Sequence, residues 1–230
     1  MQVRLSPGVV DPATPTSSRG GVAVVKRVVD VVVASTALLV MAPVLAAVAV
    51  AVLLGLGRPV LFRQRRIGWR GREFTIVKFR SMAGGGPAFS PDDDQLRLTP
   101  LGRWLRSTSL DELPSLWNIL RGDMSFVGPR PFPTSYRDLY TPEQFRRHAV
   151  RPGLTGLAQV NGRNELDWEK RFAYDLRYVD HWSLSLDARI LARTAVAVLR
   201  RRGINAPGTA TAYEFRGTAP EQPEPATAGR

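Results

Sequence analysis

From Val31 to Leu56 the chain carries no charged residue: VVVASTALLVMAPVLAAVAVAVLLGL. No other stretch limits the fold so strongly. A run of this length reads as a membrane helix rather than as the core helix of a soluble domain. As one straight helix its 26 residues would span roughly 39 Å, against about 30 Å of hydrocarbon. Pro43 stands at its middle, where it removes a backbone donor and its ring clashes with the carbonyl four residues back. Two halves of about 13 residues would each reach only about 20 Å. Such a pair can enter and leave a bilayer by the same face.

The flanks support that topology. Lys26 and Arg27 precede the run. After it, Arg58, Arg63, Arg65, Arg66, Arg70, Arg72, Lys78 and Arg80 face a single acid, Glu73. Both ends therefore prefer the cytoplasm. One crossing would strand a basic end outside, whereas a re-entrant helix broken at Pro43 would not. Asp30 is tolerable at an interface beside Lys26 and Arg27. A cleaved signal peptide fits poorly, because the run is about twice the usual apolar length and a polar tail precedes it.

The 230 residues suffice for one compact domain plus this membrane element. With no cysteine, disulfides and thiolate zinc sites are excluded. Two histidines, His148 and His181, make a histidine-rich metal site a poor expectation and read as ordinary surface or helix-end residues. A required cation would then sit on oxygens, which points to magnesium. The net charge of +12 implies an anionic partner: nucleic acid, anionic lipid or a phosphorylated small molecule.

Four segments follow along the chain. Residues 1–20 are a Pro-, Ser- and Thr-rich tail, 21–57 the membrane helix, 58–202 a compact folded domain and 203–230 a polar C-terminal tail, partly disordered. PVLFRQ and EFTIVKFRS read as two strands of a hairpin around RRIGWRGR. Lys78 and Arg80 then share a face. GGGPAFSPDDD (84–94) is a loop, and LRLTPLGRWLR leads into a short helix. A second helix starts near Ser109–Asp111 and ends at Gly122, while VGPRP and RPGLTGLAQVNGRN read as irregular and Gly-rich loops. Residues 166–182 place Trp168, Phe172, Leu176 and Val179 at helical spacing, more as core than as a binding box. Residues 185–201 form an amphipathic helix that either packs on the core or lies on the membrane surface.

Within the second helix, Asp111 and Glu112 stand side by side in SLDELPSLWNILRGDMSFVGPRP, among arginines. Ser109 and Glu112 fit a capping box, a local role that would contribute about 1 kcal/mol. A cap explains Asp111 less well. Lys78, Arg80, Arg106 and Arg130 supply cations around the pair, and the Gly- and Pro-rich loops offer backbone donors to an anion. A diphosphate needs both. A carboxylate kept ionised by cations can attack phosphorus, and a second beside it can take a proton or position another substrate.

KFRSM (78–82), SLDELPSLWNILRGDMSFVGPRP (109–131) and RPGLTGLAQVNGRN (151–164), in this order behind an apolar segment, resemble the bacterial sugar transferase family of small monotopic phosphoglycosyl transferases. The likeness runs over roughly residues 22–216 and includes GINAPGTATAYEFRG. It implies an α+β, mostly helical fold: a re-entrant helix broken at Pro43, then a compact cytoplasmic domain with a short β-hairpin and amphipathic membrane-surface helices. It also implies transfer of a sugar 1-phosphate from a UDP-sugar to polyprenyl phosphate, with release of UMP, as the first membrane step of glycan assembly.

By the same resemblance Asp111 is the nucleophile of a covalent phosphosugar intermediate and holds Mg2+, and Glu112 assists as base. Arg106 binds phosphate, with Lys78, Arg80, Arg130 and Arg151 as further substrate contacts. The place of action is the cytoplasmic face of the bacterial inner membrane, with membrane lipids as partners and a homo-oligomer left open. Direct transfer in a ternary complex, with Asp111 as metal ligand only, is the rival mechanism. A basic membrane-tethered module for nucleic acid or anionic lipid is the rival class. It leaves the acid pair and the ordered motifs unexplained, so nucleic acid is not an expected partner.

Overall fold

The computed structural model describes residues 17–84, 97–162, 166–199 and 214–217. The N-terminal tail to residue 16, most of the GGGPAFSPDDD loop, Arg163 and Asn164, and most of the C-terminal tail lie outside the described residues. The apolar run folds as two helices, α1 (Ser17–Val40) and α2 (Ala42–Leu56). They bend by 63°. Among the described residues no single helix is long and apolar enough to cross a membrane, although this bent pair is by length and composition.

The break falls at Met41, two residues before Pro43. Pro43 occupies the first turn of α2, where its missing N–H leaves no intrahelical bond unmade. Hydrogen bonding carries around the corner, from Met41 N to Ala37 O and from Leu45 N to Met41 O, both 2.8 Å.

The N-terminal arm is docked rather than free. Lys26 Nζ pairs with Asp187 at 2.5 Å, and Arg27 donates to the carbonyls of Ile119 and Leu120. Asp30, whose charge the sequence accounts for by a membrane interface, finds a partner within the protein. It is buried and accepts the Phe126 N–H at 3.2 Å. Ala34 is fully covered by a cluster of Ile76, Leu116, Ile119 and Met124. The second arm buries Val48 and Val52 against Phe79 and Leu105.

Strands β1 (Leu61–Ile67) and β2 (Glu73–Phe79) form the expected antiparallel hairpin, with Phe62 opposite Lys78. β1 runs three residues beyond its expected end, because Arg65 and Arg66 pair with Thr75 and Phe74 instead of joining the turn. Helix α3 (Pro100–Thr108) is capped by Thr99, whose Oγ1 accepts from Gly102 N at 3.0 Å. A 3₁₀ turn (Leu110–Ser115) and α4 (Leu116–Arg121) follow, and α4 ends at Gly122 with φ +87°. That conformation is left-handed and suits glycine.

Ser115 and Asn118 tie this unit to β2. Ser115 Oγ donates to Val77 O, and the Asn118 amide donates to Thr75 O and accepts from Val77 N. Two buried side chains thus satisfy the open strand edge.

VGPRP is irregular beyond Val127, as its glycine and prolines suggest, but RPGLTG is not wholly so: its Gly153–Thr155 form a short strand, β4, parallel to β3 (Ser125–Val127). Gly128 N donates to Thr155 O and Gly153 N to Pro129 O. Those amides hold each other and are not offered to an anion. The approach is so close that a Cβ on Gly153 would lie 2.1 Å from Gly128 N.

Short helices α5 (Pro142–Phe145) and α6 (Leu157–Val160) lead to α7 (Trp168–His181) and α8 (Leu184–Leu199). An aromatic cluster of Phe132, Tyr136, Phe172 and Phe215, with Tyr140 and Trp168 against it, closes this side. His148 is not a surface residue. It is buried against Tyr140 and Phe145, and burial pushes its imidazole down to about 3. Helix α8 packs Ile190 on Val127 and Tyr178 while Leu184 and Val196 stay exposed. The fold is mostly helical with a short β-hairpin.

Candidate active site

The 3₁₀ turn presents Asp111 and Glu112 to an open cavity of about 1290 Å³. The capping box is not made. Ser109 adopts φ +58° and its side chain caps nothing, so Glu112 turns inward instead. Glu112 Oε1 accepts from Lys78 Nζ at 2.6 Å and from Arg130 Nη2 at 2.9 Å. Lys78 comes from β2 and Arg130 from the loop after β3. The clamp is therefore assembled from three separate parts of the chain.

Asp111 differs from its neighbour. It is 9% exposed, lines the cavity and makes no hydrogen bond or ion pair among the described residues. Burial and the Glu112 charge push its carboxyl up to about 6, against the pull of Lys78, Arg106 and Arg130. Glu112 goes the other way. The charges of Lys78 and Arg130 and their hydrogen bonds hold it well below the usual carboxylate range, despite burial. Adjacent carboxyls with opposed environments are the mark of divided roles.

The cavity also gathers Arg106, whose Nε donates to Ser81 Oγ at 3.1 Å. Gly102 of the same helix lies against the Ser81 carbonyl, 1.8 Å from where a Cβ would stand. The backbone contact fixes Ser81 beneath Arg106. Arg80 lines the cavity wall, but its guanidinium donates to Leu56 O, Gly57 O and Arg58 O at the end of α2. Arg151 is not part of the cavity lining; its Nε donates to Gly122 O and it stacks over Trp69 at 4.6 Å.

Among the cavity residues that sequence reasoning misses are Arg66, Gln159, Trp168, Arg171 and Asp175. Arg66 is one arginine among many in a basic run, and the spacing of Trp168 speaks for core. Arg171 lies on a helix whose pattern speaks only of packing, and Gln159 follows a glycine-rich motif. Among the described residues no group of three acids or histidines is placed to hold a metal. A magnesium ion needs fewer protein ligands, using one or two carboxylates with substrate phosphates. Asp111 fits that donor set.

Residues 22–201 match the bacterial sugar transferase family. The chain belongs to that family. It is 48% identical over 168 residues to the "Uncharacterized sugar transferase EpsL" of Bacillus subtilis, covering 72% of this chain and 82% of the relative. It is 40% identical over 202 residues to the "Exopolysaccharide production protein ExoY" of Rhizobium meliloti, covering 80% and 88%. With the UDP-glucose:undecaprenyl-phosphate glucose-1-phosphate transferase of Klebsiella pneumoniae it shares 43% identity over 182 residues. That match takes in 74% of this family member but 39% of the Klebsiella protein, so the chain spans well under two thirds of that relative.

Proposed function

We propose that this family member transfers a sugar 1-phosphate from a UDP-sugar to polyprenyl phosphate and releases UMP, as the first membrane step of exopolysaccharide assembly. The names of the Klebsiella and Rhizobium relatives support the reaction class, and UDP-glucose is the first donor to test. The observation that carries the reading is the unengaged Asp111 carboxylate at the cavity wall, beside a clamped Glu112.

An Asp111 oxygen attacks the β-phosphorus of the donor. The bond from that phosphorus to the bridging oxygen breaks, and UMP leaves with the electron pair. Asp111 then carries the sugar phosphate as an acyl phosphate. An oxygen of polyprenyl phosphate attacks the same phosphorus, and the Asp111 carboxylate leaves. Asp111 and the donor diphosphate would hold Mg2+, which would supply charge neutralisation.

Lys78, Arg106 and Arg130 supply further positive charge to the wall. While Lys78 and Arg130 hold its charge, Glu112 is a poor base. Donor phosphates that take over those two cations free the Glu112 carboxylate to accept a proton in the second half-reaction. Binding thus switches Glu112 on.

Both arms of the helix pair return to one domain, through Lys26 and Arg27 on one arm and Arg80 on the other. That supports re-entry rather than crossing, with the catalytic domain at the cytoplasmic face of the bacterial inner membrane. Between Val31 and Leu56, Leu39, Val40 and Leu54 are the most exposed of a row of large apolar groups, Val32 and Val50 among them, left for lipid to cover.

The test is UMP release by the detergent-solubilised protein, given magnesium, undecaprenyl phosphate and a panel of UDP-sugars. UMP from one donor, and none from Asp111→Asn, is the expected result. Equal activity in Asp111→Asn would remove the nucleophile.

A further inference from the structure

Arg130 reaches Glu112 from a loop that has little means of holding itself. Pro129 and Pro131 flank it, and neither has an N–H to donate. Other elements instead anchor three successive carbonyls. Pro129 O accepts from Gly153 N at 3.0 Å, and Pro131 O accepts from Arg66 Nη1 at 3.1 Å. The middle one, Arg130 O itself, accepts from Arg147 Nη2 at 2.7 Å.

Arg147 is held on every side. Its Nε and Nη2 donate to Asp175 Oδ2 at 3.0 and 2.7 Å, and its guanidinium lies over the Phe132 ring at 4.1 Å. The side chains of Arg147 and Asp175 are 1% and 4% exposed. A buried ion pair is a weak source of stability, and apolar residues of similar volume often replace one without loss. What an apolar pair cannot do is donate to the Arg130 carbonyl. Arg147 is not part of the cavity lining; Asp175 is, but its Oδ2 is taken up by the Arg147 guanidinium, and it is Arg147 that donates to the Arg130 carbonyl, so a loss that vanishes in an Arg130→Ala background separates positioning through Arg130 from a direct contact of Asp175.

We infer that Arg147, fixed by Asp175, is a positioning residue that holds the Arg130 backbone so that the Arg130 guanidinium meets Glu112 and the donor phosphates. The inference rests on the function proposed above. Losing the clamp leaves Arg130 present but misplaced, and a displacement of about 1 Å is enough to cost about 100-fold in rate.

The experiment pairs Arg147→Met with Asp175→Leu in the full chain, measuring thermal unfolding and UMP release with undecaprenyl phosphate and the donor the wild type uses. The double variant is expected to unfold near the wild-type temperature, yet to lose about 100-fold in kcat. The same loss is expected to vanish in an Arg130→Ala background, because the clamp then has nothing to place. Wild-type kcat in a refolded double variant, or a loss that adds fully to that of Arg130→Ala, would overturn the inference. Arg147→Lys keeps the charge but loses the fork. If the double variant does not fold, this variant takes its place under the same two criteria. Full activity in Arg130→Ala alone would overturn the reading of Arg130, and the clamp with it. Full activity in Asp111→Asn would be the separate failure of the nucleophile.

Discussion

Asp111 and Glu112 are neighbours in sequence with opposite linkage to pH. The Asp111 carboxyl lies near 6 in the fold against an ordinary 3.8. The folded state binds that proton more tightly, so its contribution to stability is full below pH 3.8 and is lost as pH rises through 6. A rise of that size corresponds to about 3 kcal/mol. Asp111→Asn is therefore expected to abolish transfer yet to stabilise the protein at pH 7.5 by about 2–3 kcal/mol, a gain that disappears near pH 4. Denaturant titration at the two pH values checks this. Glu112 has the reverse sign: its depressed value favours the fold above about pH 4.5, and that support is lost on acidification. The proposed attack needs ionised Asp111. Single-turnover UMP release at limiting donor is expected to fall at acid pH as the Asp111 carboxyl, raised by burial and the Glu112 charge, takes up its proton, and the midpoint is expected to move lower as Mg2+ is raised. A midpoint that Mg2+ does not move would contradict Asp111 as its ligand.

At the scale of elements, local pattern is enough where the signal is local. The uncharged run with Pro43, the alternation in EFTIVKF and the glycine at 122 foretell the broken helix, the hairpin strand and the end of α4. The acid pair and Lys78, Arg106 and Arg130 are likewise legible there. What stays hidden depends on partners far along the chain. Nothing near Arg80 announces that its guanidinium finds the α2 carbonyls, and nothing near Lys26 announces Asp187, 161 residues away. The β3–β4 pairing spans three residues on each side, too short for a periodicity. Two substitutions probe these contacts. Gly153→Ala is expected to lower stability by about 2 kcal/mol or more, since its new Cβ meets backbone rather than a movable side chain. Arg80→Gln is expected to lower stability by about 1–3 kcal/mol while the KM for donor stays within about twofold. A large rise in KM at unchanged stability would return Arg80 to phosphate binding.

The whole molecule pairs an apolar bent helix with a cationic cavity, and its two arms end on the same domain. Trp104 and Trp117, about half exposed, add aromatic surface of the kind that suits a membrane interface. The absence of cysteine makes topology directly measurable. Single cysteines at Gly20 and Arg63 are expected to react with an impermeant thiol reagent from the cytoplasmic side only, and one at Met41 to be protected. Labelling of the two ends from opposite sides would establish a crossing helix. The proposed reaction turns on one covalent bond, so the most direct measurement is the intact mass of the protein mixed with Mg2+ and its UDP-sugar donor, without polyprenyl phosphate. The account predicts release of up to one UMP per chain and a gain in mass of one sugar phosphate, located on Asp111 and absent from Asp111→Asn. UMP release that strictly requires polyprenyl phosphate, with no mass gain at any time, would show direct transfer between the two substrates and contradict the account.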